Sequence, residues 1–268
     1  MRASMLSAII LFAGIASASA FESQDIKKLT ETGSCGGCDL RGAKLQYKDF
    51  SESYLKGANL RDSVLKQINL SQANLMETDM RRSDLEKAIL VSAELEYAIL
   101  QDADMEKAVM TNANLRRTDL RSADFDGADV ESGKFQEADI RKAYFKRANL
   151  TNANFSNAKV TDVNFKRANM TGAIMTKAEL NDANFTRADL TDAHLEEADL
   201  RHANFYRAHL VNTVLSGARL SNVSFWGADL SGANLEDTSG LEQEQLENAC
   251  GDENTKLPGN LTIRECTP

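Results

Sequence analysis

Every fifth residue over most of this chain is a large apolar one. Stepping by five from Leu40 to Leu235 meets Leu, Phe, Met, Ile or Val at all 40 positions, with no insertion. Two residues before each of them stands Ala in 28 of the 40 units, and the residue between is Asp or Asn in 23. The unit is therefore A-(D/N)-L-x-x. A period of five cannot be one helix face, because five steps of about 100° turn each Leu about 140° from the last. It cannot be a continuous strand either, since five is odd and successive Leu would alternate faces. The pattern works if the chain turns a corner in every unit. Ala and Leu, two apart, then point inward, and the Asp/Asn and the two corner residues point outward. At the small inward position Lys48 and Ile68 are the clear exceptions.

The number of walls follows from which side chains recur. The in-register phenylalanines from Phe125 onward are Phe125, Phe135, Phe145, Phe155, Phe165, Phe185, Phe205 and Phe225. A separation of 20 gives six Phe–Phe pairs, 10 gives four and 15 gives none. Arg147, Arg167, Arg187 and Arg207 also recur at 20. One coil is thus four units, and 40 units make ten coils. At a strand spacing of about 4.8 Å the rod is about 48 Å long, and its parallel crossovers favour a right-handed winding.

This uninterrupted A-(D/N)-L-x-x array, from about Cys38 to Leu235, resembles the pentapeptide-repeat family. The resemblance implies an all-β fold, a right-handed quadrilateral β-helix, and says little about function, since fold does not fix function. Open coil ends expose unpaired edges, so short helical caps are expected at both ends. Ser23 to Glu31, with Ser23 as N-cap, is the first candidate, and Leu241 to Ala249 the second. The tail from Cys250 to Pro268 is expected to fold back as a loop. The resulting division is residues 1–20, 21–37, 38–237 and 238–268.

The first of these segments has the form of an export signal. Met1-Arg2 is followed by an apolar run from Leu6 to Ile15 and by Ala18-Ser19-Ala20, an A-x-A site, with the mature chain starting at Phe21. The run falls short of the ~20 apolar residues a bilayer span needs, so no transmembrane segment is expected after cleavage, and the destination is periplasmic or secreted. Disulfides persist there. Cys35, Cys38, Cys250 and Cys266 all lie at the rod ends, about 48 Å apart, whereas bonded Cα atoms lie within about 7 Å. Within one chain only Cys35–Cys38 and Cys250–Cys266 are feasible. Cys35-Gly36-Gly37-Cys38 is also a C-x-x-C, whose redox reading needs a lowered thiol pKa. A structural bond fits better where Cys38 fills an inward slot.

No catalytic constellation, phosphate loop or nucleophile motif is present. His194, His202 and His209 map to three different walls, so neither a metal site nor a cofactor is expected. The surface columns are where specificity can be written. On the wall of Leu45 and Phe125, the outward positions from Tyr144 to Arg207 hold Lys146, Arg147, Lys166, Arg167, Arg187 and Arg207, with no acid. Earlier coils of that wall carry Asp84, Glu86, Asp104, Glu106, Asp124 and Asp126. A second row, Arg41, Arg61, Arg81, Arg121 and Arg141, stands two residues from Asp39, Asp79, Asp119 and Asp139, a self-compensated ladder. The wall after Phe50 is rich in Ser, Thr and Asn.

Three functions compete. The first is a non-enzymatic exported scaffold offering flat walls to a protein partner or a polyanion, with a homodimer through a cap as a further arrangement. The second comes from the family resemblance, which includes cytoplasmic members that mimic duplex DNA and bind topoisomerases. Against it, residues 35–238 carry 31 acids and 26 bases, a mixed surface. The third is redox activity of Cys35 and Cys38. The formal net charge of -9 disfavours nucleic acid as a ligand.

Overall fold

The computed structural model describes residues 17–266. From Ser34 to Ser239 the chain is a ladder of single-residue parallel bridges, each joining residue i to residue i+20, from Ser34–Tyr54 to Arg219–Ser239. Four units therefore close one coil, and the array from Leu40 to Leu235 makes ten coils. The bridging residue is the one before each inward Leu. Its neighbours stitch the coils together: Leu40 N–H donates to Asn59 O at 2.7 Å, Gly42 N–H to Arg61 O at 2.9 Å, and Asn59 N–H to Cys38 O at 2.8 Å.

Each corner is a four-residue turn closed by the Ala N–H on the Leu carbonyl, as in Ala43 to Leu40 at 3.0 Å. The second corner residue has positive φ at every corner from Gly42 to Asp237. Most are not glycine, and their φ lies between 53° and 63°. A left-handed residue of this kind costs roughly 1–2 kcal/mol. The cost is offset because that φ aims the corner N–H at the next coil, as in Arg147 N–H on Lys166 O at 3.1 Å. The Asp/Asn preference has the same local cause. Its Oδ1 accepts the first corner N–H, as in Asp49 with Ser51 at 3.0 Å and Asn204 with Tyr206 at 2.9 Å.

Inside, Ala and Leu positions are buried almost without exception. The phenylalanines stack in two columns. Phe125, Phe145, Phe165, Phe185, Phe205 and Phe225 lie 4.5–5.4 Å apart, centroid to centroid. Phe135 and Phe155 form the second column at 4.5 Å and meet the first edge-on. Apart from Ser53, polar residues in the Ala slot turn their hydroxyls back on the chain, as in Thr78 to Leu75 O at 2.7 Å. Ile68 is buried in that slot. Lys48 is exposed, because it stands in the first coil, with no coil beneath to enclose it and a charge that burial would strand.

The ends differ from the sequence expectation in three ways. The first helix, α1, spans Ser17–Thr32 rather than starting at Ser23. Ser23 is therefore inside it and not its cap; Ala18 and Ala20, strong helix formers, carry the helix further back. The proposed signal segment lies outside the described residues up to position 16. Asp25 of α1 accepts the Asp39 N–H at 2.9 Å, replacing the carbonyl that a preceding coil would supply, and Leu29 is buried over the first coil.

The second helix, α2, is only Gln243–Leu246, one turn, and not Leu241 to Ala249. It stops because the chain re-enters the ladder. Gly227 N–H donates to Asn248 O at 2.7 Å, Leu230 N–H to Cys250 O at 2.7 Å and Leu235 N–H to Lys256 O at 2.8 Å. The tail up to Lys256 is thus a partial further coil, and beyond it the chain folds back as expected, Gly251 N–H donating to Arg264 O and Cys266 N–H to Gly251 O, both at 2.9 Å. The registers Asp229–Cys250 and Asn234–Lys256 show one and then two extra residues relative to the strict repeat. Gln245 Nε2 donates to the carbonyls of Leu220 and Val223 at 2.8 and 3.0 Å, closing the gap the short helix leaves. The structure joins Cys35 to Cys38 and Cys250 to Cys266.

Candidate functional site

The corner register places Lys146 and Lys166 in one column and Arg147, Arg167, Arg187 and Arg207 in the next, all along one edge of one wall. The four arginines are exposed and the two lysines half-buried. Among the described residues none of these six cations forms an ion pair. Arg207 lies over the ring of Tyr206, 5.2 Å from its centroid. The Lys146 backbone N–H reaches Asp126 Oδ1 at 2.9 Å, but its ammonium does not.

The second arginine row is the internal contrast. Arg41, Arg121, Arg141 and Arg201 each hold their Asp with two bonds, at 2.5–2.8 Å. Arg81 does the same with Asp79. Arg201–Asp199 extends this row beyond the five arginines identified from sequence. Arg61 is the exception: Asn stands at 59, so it turns to Asp62 at 3.5 Å. The Arg81 and Arg201 guanidiniums hold the Asp79 and Asp199 carboxyls below the usual carboxylate range. The strip arginines stand one residue later in the corner, where an arginine pairs along its own column, as Arg82 does with Asp62 one coil below; their column, from Lys107 and Gly127 to Gly227, holds no acid.

Lower on the same wall the charges reverse. Asp84, Asp104 and Asp124 bridge one another directly. Burial, and then the neighbouring acids, push the Asp104 carboxyl up; burial does the same for Asp124. Lys66 bridges Asp84 at 3.2 Å and Glu86 at 2.7 Å, and holds Glu86 down at about 2.

Three further features bear on the strip and were not evident from charge alone. The Oδ1 atoms of Asn164, Asn184 and Asn204 accept the corner N–H groups of Lys166, Thr186 and Tyr206, at 3.1, 3.0 and 2.9 Å. That fixes which end of each amide faces out: Nδ2, a donor. On the adjacent wall Asn69 and Asn149 spend that donor on Asp49 and Asp129 one coil below, at 2.9 and 2.8 Å. The strip asparagines have no such partner among the described residues. Finally, the column of Lys146 and Lys166 continues through Tyr206 to Trp226, the single tryptophan, which is 56% exposed. The 20-residue register would have revealed this continuation.

His194, His202 and His209 stand on three walls, as their spacing implies, and His194 Nδ1 meets Glu196 at 2.9 Å. The two groups of potential metal-ligating atoms among the described residues are Asp25 with Cys35 and Cys38, and Asp229 with Cys250 and Cys266. Their cysteines are in disulfides. No described helix is long and apolar enough to cross a membrane.

The repeat array matches known family models. No curated protein sequence matches significantly. Among solved structures, HetL, a pentapeptide repeat protein involved in heterocyst differentiation regulation from the cyanobacterium Nostoc sp. strain PCC 7120, is 26% identical, with a TM-score of 0.44, covering 78% of this chain and 95% of that one. QnrB1, a plasmid-mediated fluoroquinolone resistance protein, is 17% identical, with a TM-score of 0.32, covering 79% and 94%. A pentapeptide repeat protein from the Arabidopsis thaliana thylakoid lumen is 27% identical, with a TM-score of 0.18, covering 51% and 80%. Residues 78–155 and 138–214 match the family described as pentapeptide repeat region. Residues 34–72, 53–90 and 198–237 match that of pentapeptide repeats in eight copies. With these matches running over most of its length, the chain belongs to the pentapeptide-repeat family.

Proposed function

We propose that this protein is a non-enzymatic, exported scaffold, a right-handed four-sided rod that binds an anionic partner along the strip of Lys146, Arg147, Lys166, Arg167, Arg187 and Arg207. The observation that carries the reading is the contrast between two arginine rows on one rod. One row is neutralised by acids in its own coil, and the other has, among the described residues, no acid within ion-pair reach. Like charges repeated at coil spacing repel unless a counter-charge lies between them. The strip is therefore the surface that gains most from an anion. Export is supported by the n-, h- and A-x-A pattern of residues 1–20 and by two disulfides, which suit an oxidising compartment.

The test is capture from an envelope extract by wild type and by Arg147→Glu/Arg167→Glu/Arg187→Glu/Arg207→Glu. Glutamate already occupies the same corner slot at Glu52, Glu77, Glu137 and Glu197 with φ of 57–61°, so the variant keeps its fold. An identified acidic partner held by wild type and lost by the variant supports the reading. Equal capture by both overturns it.

A further inference from the structure

The geometry points to a specific class of ligand for the strip: an acidic polysaccharide, a 1,4-linked polyuronate laid along the rod axis with its carboxylates on the strip. This assignment rests on the anion-binding reading above and goes beyond it in three respects.

The first is the sign of every free hydrogen-bonding group. The asparagine amides are locked by their own corner N–H groups so that Nδ2 faces out. The arginines and lysines offer only donors. Tyrosine and threonine hydroxyls aside, the strip is a donor-only surface, and it fits a ligand whose exposed groups are acceptors. Donors line both edges, Asn164, Asn184 and Asn204 on one side and the arginines on the other. Carboxylates that alternate from edge to edge along a glycan are still met.

The second is repeat length. The stacked phenylalanines set the coil rise at 4.5–5.4 Å. An extended pyranose chain advances by about one such rise per ring, carrying one carboxylate each time. In an extended acidic peptide, same-face carboxylates recur every ~6.7 Å, twice the strand rise, and fall out of register within a few coils.

The third is the placing of aromatic rings. Tyr144 opens the strip at 49% exposure and Trp226 closes it at 56%; between them Tyr206 is half-buried, with one ring face under Arg207. Exposed ring faces beside anion donors suit the C–H faces of sugar rings. Acids then bound the site, Asp124 and Asp126 below and Glu242 and Glu244 beyond Trp226, so the bound stretch from Tyr144 to Trp226 is five coils long, about five rings.

The experiment uses the full chain with its disulfides and isothermal titration against three probes: oligogalacturonate of four to eight rings, its methyl ester, and poly-L-glutamate of matched charge. Oligogalacturonate is expected to bind, and the neutral ester not to. Trp226→Ala is expected to weaken oligogalacturonate about tenfold while leaving any poly-L-glutamate binding unchanged. Arg167→Glu/Arg187→Glu is expected to abolish binding of both polyanions. If poly-L-glutamate binds as well as oligogalacturonate and Trp226→Ala changes neither, the strip is an anion site and the glycan assignment fails. If Arg167→Glu/Arg187→Glu leaves oligogalacturonate binding intact, the strip reading itself fails. A thermal melt of each variant, matching wild type, separates loss of binding from loss of fold.

Discussion

Phe165 is the most informative single position in the core. It is fully buried, with Phe145 and Phe185 stacked on its two faces at 5.4 and 5.1 Å, and Phe155 meeting it edge-on at 6.0 Å. Phe→Ala in a core costs about 3–5 kcal/mol through lost transfer energy and the cavity left behind. Each aromatic pair adds about 0.5–1.5 kcal/mol beyond area, so Phe165→Ala belongs at the upper end, about 5 kcal/mol. At about 2–4 °C per kcal/mol for a chain of this size, the Tm falls by roughly 10–20 °C. The same column holds Leu45, Leu65, Leu85 and Met105 in earlier coils, all buried. Phe165→Leu should therefore fit the slot and cost only about 1–2 kcal/mol. Urea titration followed by far-ultraviolet circular dichroism measures both. A loss below about 2 kcal/mol for the alanine variant, or equal losses for alanine and leucine, would refute the stacked-coil energetics.

Three other outcomes follow from the same fold. Asp104 and Asp124 have folded-state carboxyls raised by burial and by like charge; such groups destabilise above their folded pKa and cease to do so as pH falls through it. Asp104→Asn/Asp124→Asn should therefore raise the Tm at pH 7 and lose that advantage near pH 3, and an unchanged Tm at pH 7 counts against the acidic ladder. Asp79 behaves with the opposite sign, because the Arg81 hydrogen bonds depress it: its stabilisation is present at neutral pH and disappears as pH falls through the depressed value. Arg81→Gln should accordingly move the acid-unfolding midpoint to higher pH, as read by circular dichroism. Cys266→Ser opens the 16-residue link to Cys250, worth about 3 kcal/mol for a loop of that size. Limited proteolysis should then cut residues 251–266 while the coils up to 239 stay resistant.

The coil was legible because one rule repeats forty times, and each repetition votes on the same phase. Phe and Arg recurring at 20 then separate four walls from two or three, since only side chains stacked in one column gain from being alike. The ends were not legible in the same way. Nothing periodic marks α1 as starting at Ser17, or shows that Asn248 to Lys256 rejoins the ladder after a one-turn helix. Those outcomes depend on orphan groups of the first and last coils, which Asp25 and Gln245 respectively satisfy across the fold. The paired arginine row could be read from its two-residue spacing to Asp. The outward donors of Asn164, Asn184 and Asn204 could not, since their orientation is set by the corner N–H groups of a turn that exists only once the coil has closed.

The central claim is that the unpaired row binds anions and the paired row does not. Retention on immobilised heparin, a generic polyanion, tests it with two variants of equal charge change: Arg167→Glu/Arg187→Glu on the strip and Arg81→Glu/Arg121→Glu on the compensated row. The account predicts that wild type and the compensated-row variant elute together at elevated salt, and that the strip variant flows through. Equal loss of retention in both variants, or none in either, would contradict it.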